Sequence, residues 1–283
     1  MKLPQTAGAH SLGSYVQAKK KMKFEINIDE IKKLISDFEK ESEELGRIVN
    51  PIFEKYTLEK KEVLEVCQIG KFVYKVDSEI QIVEKPQPPA PDFIIKHKSK
   101  LIGLEHTRIL TKNATKYLRI VNLVEYSSKV FEEKYPNLTI SAKIEFKNDE
   151  LEYSQKEKKV YATLIADLVY RMNLGEYIEF PEFITDIRIQ RHSKVTFHYK
   201  EKNWQSQPLT LERLKEEIQK KEQKILNYKT SDLNIFEYWL VLLIGSLSSV
   251  SYELNEAVNY KTDSKFDRVY LMSDFSADII RVK

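Results

Sequence analysis

Pro91-Asp92-Phe93-Ile94-Ile95-Lys96-His97-Lys98-Ser99-Lys100-Leu101-Ile102-Gly103-Leu104-Glu105-His106-Thr107 is the stretch that decides how this chain is read. Two apolar runs flank the polar tetrad 97–100, the pattern of a β-hairpin. It predicts strands over 92–96 and 101–109. Side chains alternate along a strand, so Gly103, Glu105 and Thr107 point one way and Ile102, Leu104 and His106 the other. A carboxylate among Leu, Ile and Gly needs a partner, because burying it unpaired is costly. A divalent cation is one such partner. Mg²⁺ takes hard oxygen ligands, commonly one or two carboxylates completed by waters and phosphate oxygens. An ion pair with a neighbouring Lys or Arg is the other reading of Glu105, and a turn cap that of Asp92.

Working outward, residues 29–56 read as a helix with a stripe of Ile31, Leu34, Ile35, Phe38, Leu45, Ile48, Val49, Ile52 and Phe53. The stripe is broken at positions 41 and 42. Glu41 is thereby aimed at the core, unless it snorkels from the stripe's edge. Residues 70–84 read as one strand or two short ones, followed by a stiff Pro-rich connector over 86–91. A helix is expected from about 111 to 134 and a strand over 138–146. The order helix, strand, strand, strand, helix, strand implies an α/β or α+β core. Beyond it come a helix over 158–174 stopped by Gly175, a hairpin over 183–199, a charged helix over 209–228, and buried strands at 238–244 and 268–272. The expected organisation is an arm over 1–26, a core over 27–150, and a C-terminal extension over 151–283 packed on that core.

Composition narrows the class. Of 283 residues, 42% are hydrophobic and 11% aromatic, enough for a packed core. Cys67 is the single cysteine, which excludes an intramolecular disulfide and a Cys-rich zinc site. The net charge of +3 tolerates a nucleic-acid partner without demanding one. Locally the signal is stronger: residues 91–134 hold nine Lys or Arg against five acids, two of which are Asp92 and Glu105. The Lys and Glu of 209–228 interleave as in a solvated helix face with i,i+4 pairs. The apolar run at 239–244 is too short to span a bilayer, and residues 1–23 lack the apolar segment of a signal peptide. A cytoplasmic protein with no membrane partner is expected, its oligomeric state left open, a homodimer included.

The segment around the hairpin resembles the PD-(D/E)XK nuclease superfamily, the restriction-endonuclease-like fold. Pro91-Asp92 matches the family's PD, Glu105 its second acid, and the element order over 29–146 its αβββαβ core with a mixed central sheet. The resemblance implies a metal-dependent nuclease that hydrolyses phosphodiester bonds in nucleic acid, DNA before RNA. It implies Mg²⁺ or Mn²⁺ held by Asp92 and Glu105, with Glu41 on the first helix as a further ligand. The family's lysine belongs two residues after the second acid, where this chain has Thr107. Lys96, Lys112 and Lys116 are the local candidates to supply that charge. Thr107 also keeps open a nuclease fold that binds nucleic acid, or serves in an assembly, without cutting. An unrelated α/β interaction protein is the remaining alternative.

Overall fold

The computed structural model describes residues 28–149, 151–201, 206–228, 234–245 and 249–283. The arm expected over 1–26 lies outside them. The chain divides into two units, Met1–Glu43 and Glu44–Lys283. Helix α1 (Ile28–Lys55) crosses that boundary. In its first half Leu34, Ile35 and Phe38 are exposed, so the stripe is not covered there as its spacing implies. In its second half Val49 and Ile52 are buried.

The second unit is α+β. Helix α2 (Lys60–Val76) precedes β1 (Gln81–Glu84), β2 (Phe93–His97) and β3 (Lys100–Arg108). Then come α3 (Ala114–Lys134), β4 (Ile140–Phe146), α4 (Gln155–Asn173), β5 (Ile184–Arg191), β6 (Thr196–Tyr199) and the short β7 (Gln207–Pro208). Helix α5 (Leu211–Tyr228) leads to β8 (Glu237–Ile244), the short β9 (Tyr252–Glu253), β10 (Arg268–Ser273) and β11 (Ile279–Arg281).

The expected strand over 70–84 is helical in its first part. Val66, Ile69, Gly70 and Val73 are buried at helical spacing, and only Gln81–Glu84 of that span forms a strand. The β-branched and aromatic run misled the reading, because packing rather than propensity decided the element.

The main sheet has six strands in the order β1-β2-β3-β8-β10-β11. Strands β2 and β3 form the expected antiparallel hairpin, and β3 pairs in parallel with β8. This corrects two expectations. Three of the sheet's strands come from beyond residue 150, so 27–150 is not a self-contained core. Strand β4, expected as the core's last strand, instead centres a separate sheet ordered β5-β4-β6. Strands β5 and β6 consequently do not pair as a hairpin; β4 lies between them, antiparallel to β5 and parallel to β6.

Each face of the main sheet is covered. Phe93, Ile95, Ile102, Leu104, Trp239 and Val241 pack with Val66, Ile69, Phe72 and Val73 of α2. Tyr238, Leu240, Leu242 and Leu271 pack on the other face with Leu214, Ile218, Ile225 and Tyr228 of α5. The smaller sheet has its own core, where Ile140, Ala142, Ile144 and Phe197 meet Ile120 and Leu123 of α3 and Ile165 and Val169 of α4. This second body, α3 to β6, is inserted between β3 and α5. The segments that flank the insertion touch: the guanidinium of Arg213, in the first turn of α5, donates to the Leu110 carbonyl ahead of α3 at 3.2 Å, across 103 residues of chain. No helix among the described residues is long and apolar enough to cross a membrane.

Gly103 permits the close approach that seats Asp92. A Cβ at residue 103 would fall 2.8 Å from Pro91 Cγ and 3.0 Å from a ring carbon of Tyr238. Gly103→Ala is expected to destabilise the protein by about 1–3 kcal/mol through overpacking, measured by urea denaturation. Unchanged stability would mean that the Pro91 segment moves freely.

Candidate functional site

The register Phe93↔Leu104 sets Asp92 opposite Glu105, and both face α5. Glu105 is only 1% exposed. Its Oε1 accepts from the ammonium groups of Lys221 and Lys224, each at 2.7 Å, and its Oε2 from the Tyr228 hydroxyl at 2.6 Å. The Lys221 ammonium also lies 3.4 Å from the His106 carbonyl oxygen. Asp92 Oδ2 accepts the backbone N–H of His106 at 2.9 Å.

The electrostatics separate the two acids. Burial works against the Glu105 charge, but Lys221, Lys224 and Tyr228 overcome it and hold the carboxyl below its ordinary range. Asp92 is pushed up, first by burial and then by the neighbouring Glu105 charge, which the His106 N–H and the two lysines only partly offset. Lys224 is held above its ordinary value: burial opposes its charge, and Glu105 more than restores it. Tyr228 is pushed up by burial and by Glu105, so it stays protonated and donates.

A cleft of about 430 Å³ opens beside this pair, at the carboxyl end of β3. Asp92, His106, Thr107, Arg108, Lys221 and Lys224 line it from the sheet and α5, and Lys61, Glu65 and Gln68 from α2. Ligand crevices in α/β sheets commonly lie at this end of the strands. Two buried polar atoms of the lining residues, His106 Nε2 and Gln68 Oε1, have no hydrogen-bond partner among the described residues. The other end of the Gln68 amide is fixed, Nε2 donating to Asp274 Oδ2 at 2.7 Å. Burial, then the Arg108 and Lys221 charges, push the His106 imidazole down to about 3, so it is neutral at physiological pH.

Among the sequence candidates, Asp92, Glu105 and Thr107 are brought together. Glu41, in the first unit, is exposed. Lys96 on β2 and Lys116 on α3 are exposed and do not line the cleft. Lys112 borders a different concavity, with Arg213 and Tyr252. The cations at Glu105 come instead from α5, the helix read as a solvated face. The expected i,i+4 pairing is present in Arg213–Glu217, though both of its side chains are largely shielded, and the exposed Lys220 pairs with Glu217 at i,i+3. The solvated-face reading fails for Lys221, which falls in the buried seam Leu214, Ile218, Ile225, Tyr228. A lysine in register with a core seam was the available signal. His106 points away from Glu105 as expected, yet it reaches the cleft.

A second cluster, Asp77, Glu79 and His97, brings its ligand-type atoms within 4.8 Å of one another. Internal hydrogen bonds account for it: His97 Nε2 lies 3.0 Å from Asp77 Oδ2, and Asp77 Oδ1 accepts the Glu79 N–H.

No family model, curated protein or solved structure matches this chain.

Two outcomes are expected. Glu105→Ala should cost about 3–5 kcal/mol by stranding two ammonium groups and a phenol, whereas Tyr228→Phe should cost about 1 kcal/mol, both by chemical denaturation. His106 binds a proton more readily unfolded than folded, so stability falls as pH drops below 6.5. Between pH 6.5 and 5 its contribution should be roughly 1.5 kcal/mol, and His106→Gln should flatten that part of the profile. Equal slopes would show that His106 titrates normally.

Proposed function

We propose that this chain is a metal-dependent nuclease of the PD-(D/E)XK type, with DNA as its substrate, in which α5 supplies the basic group that Thr107 cannot. One observation carries the reading. Asp92 lines the cleft, Glu105 stands opposite it in the strand register just behind the lining, and the Lys221 ammonium, which also lines the cleft, lies 2.7 Å from Glu105. The order α2, β1, β2, β3, α5, β8, with β3 and β8 parallel, also agrees with an αβββαβ core and a mixed sheet once the α3–β6 insertion is set aside.

The donor set suits a hard divalent cation. A half-buried Asp92 at the cleft neighbours the buried Glu105, and Asp92 stays short of compensation even with two lysines nearby. Asp92 and Glu105 would hold Mg²⁺ or Mn²⁺, with the His106 carbonyl and Gln68 Oε1 as neutral oxygens close to the cleft. Such an ion, when bound, polarises a phosphoryl oxygen and lowers the pKa of a water. The chain's own groups do the rest. Lys224 remains protonated, so its part is to stabilise negative charge developing on the phosphate rather than to take up a proton. Lys221, which reaches both Glu105 and the His106 carbonyl, is the group from which an attacking water can be oriented. Lys61 and Arg108 add positive charge for flanking phosphates. His106 is neutral and adds none.

A second reading rests on the saturation of Glu105. With two ammonium groups and a phenol on one carboxylate, the site is also consistent with a nuclease fold that binds nucleic acid without cutting it.

Plasmid and oligonucleotide cleavage with Mg²⁺ or Mn²⁺ separates the two. The wild type should cut, Asp92→Asn should not, and Lys221→Ala should lose about 10²–10³-fold in rate, as when a charge-stabilising donor is removed. Metal-independent binding without cleavage by the wild type selects the second reading. Equal cleavage by the wild type and Asp92→Asn removes the site.

A further inference from the structure

The smaller sheet turns one face to the core formed with α3 and α4, and the other face outward. The outward face carries an excess of basic over acidic side chains, Lys143, Arg188 and Lys200 against Glu145 and Asp186. Lys143 at the centre of β4 lies directly opposite Arg188 on β5 and His198 on β6. Like charges facing each other across adjacent strands are destabilising. Lys143 is exposed and has no ion pair among the described residues.

Among the described residues, acids on the same face pair with two of its three cations and leave Lys143 without one. Asp186 engages Arg188 Nε at 2.8 Å, and Glu145 Oε2 engages Lys200 at 2.6 Å. A concavity of about 250 Å³ lies between these side chains. Its lining comprises Lys143, Arg188, Lys200, Ser141, Gln190 and Ile189, with no carboxylate. Three cations, a hydroxyl and an amide are donors of the kinds that contact phosphate oxygens. They spread over β4, β5 and the residue that follows β6, across an open sheet, which suits an extended polyanion better than a small enclosed anion.

We propose that the outward face of the β5-β4-β6 sheet binds the phosphodiester backbone of nucleic acid. This goes beyond the nuclease reading and does not depend on it, because the surface needs neither Asp92 nor a metal. Lys143 and Arg188 make the central contacts. Ser141 and Gln190 supply neutral hydrogen bonds that hold a phosphate in the concavity.

The test is fluorescence anisotropy of the full chain with a labelled single strand and with its duplex, in EDTA, over a range of salt. Chelation keeps the result separate from any cleavage, so the nuclease reading and this one fail independently. The double substitution Lys143→Ala with Arg188→Ala should weaken binding at least about tenfold. It should also reduce the salt slope, log K against log salt, by about 1.5–2, as expected for two lost phosphate contacts. Lys143→Arg should bind like the wild type, and all three proteins should unfold in a single cooperative transition, which shows that the loss of binding is not a loss of fold. Which of the two nucleic acids binds more tightly identifies the form recognised. The proposal is overturned if the wild type binds neither, if affinity and salt slope survive the double substitution, or if polyglutamate or inorganic phosphate competes as well as unlabelled oligonucleotide.

Discussion

A carboxylate with 1% of its surface exposed, held ionised by two ammonium groups and a phenol, is the interaction on which the rest of this fold turns. Buried charge is tolerated only with close partners and satisfied hydrogen bonds. The partners of Glu105 lie 116 to 123 residues away in sequence, on α5. The cluster therefore fixes the angular position of α5 on the sheet, since Lys221, Lys224 and Tyr228 reach the carboxylate only when the helix presents the same side that buries Ile218 and Ile225. Structural anchoring and chemical potential are the same contact here. The geometry that stabilises α5 also delivers two cations to the edge of a cleft.

That cleft owes its place to the sheet's topology. Strands β3 and β8 run in parallel, so their carboxyl ends share one edge, and Asp92 arrives there through the antiparallel hairpin. Asp274, just after β10, reaches the same edge and ties down Gln68 of α2. Helices on both faces and three strand ends thus converge on one opening. This explains why Lys221, on the face of the sheet that Glu105 shares, and His106, on the opposite face, both line it.

The hairpin was legible because its signals are local. Alternation, a polar tetrad and two acids in apolar surroundings fall within seventeen residues. The juxtaposition of Asp92 and Glu105 followed from the pleat alone. What sequence could not convey was which later elements return to β3. Residues 111–146 have the right local character for a crossover helix and strand, and nothing local shows that Ile140, Ala142 and Ile144 are buried against β5 and β6 rather than β3. The source of the missing basic group was hidden for the same reason. Lys96 and Lys116 were near in sequence, whereas Lys221 is near only in space. Helix α2 failed differently: Phe72, Val73 and Tyr74 suit a strand in isolation, and the buried positions 66, 69, 70 and 73 reveal the helix only once the opposing face of the sheet is known.

The hydrogen bond from Arg213 to the Leu110 carbonyl has a bearing on ancestry and engineering. A polypeptide that departs from a scaffold and rejoins it through a single narrow gate imposes few constraints on what lies between. The intervening body carries its own hydrophobic interior, so it can be trimmed, enlarged or exchanged while the parent framework keeps its shape. Relatives of this molecule would then differ most in that excursion, and circularly permuted or shortened versions could be joined across the gate with a brief connector.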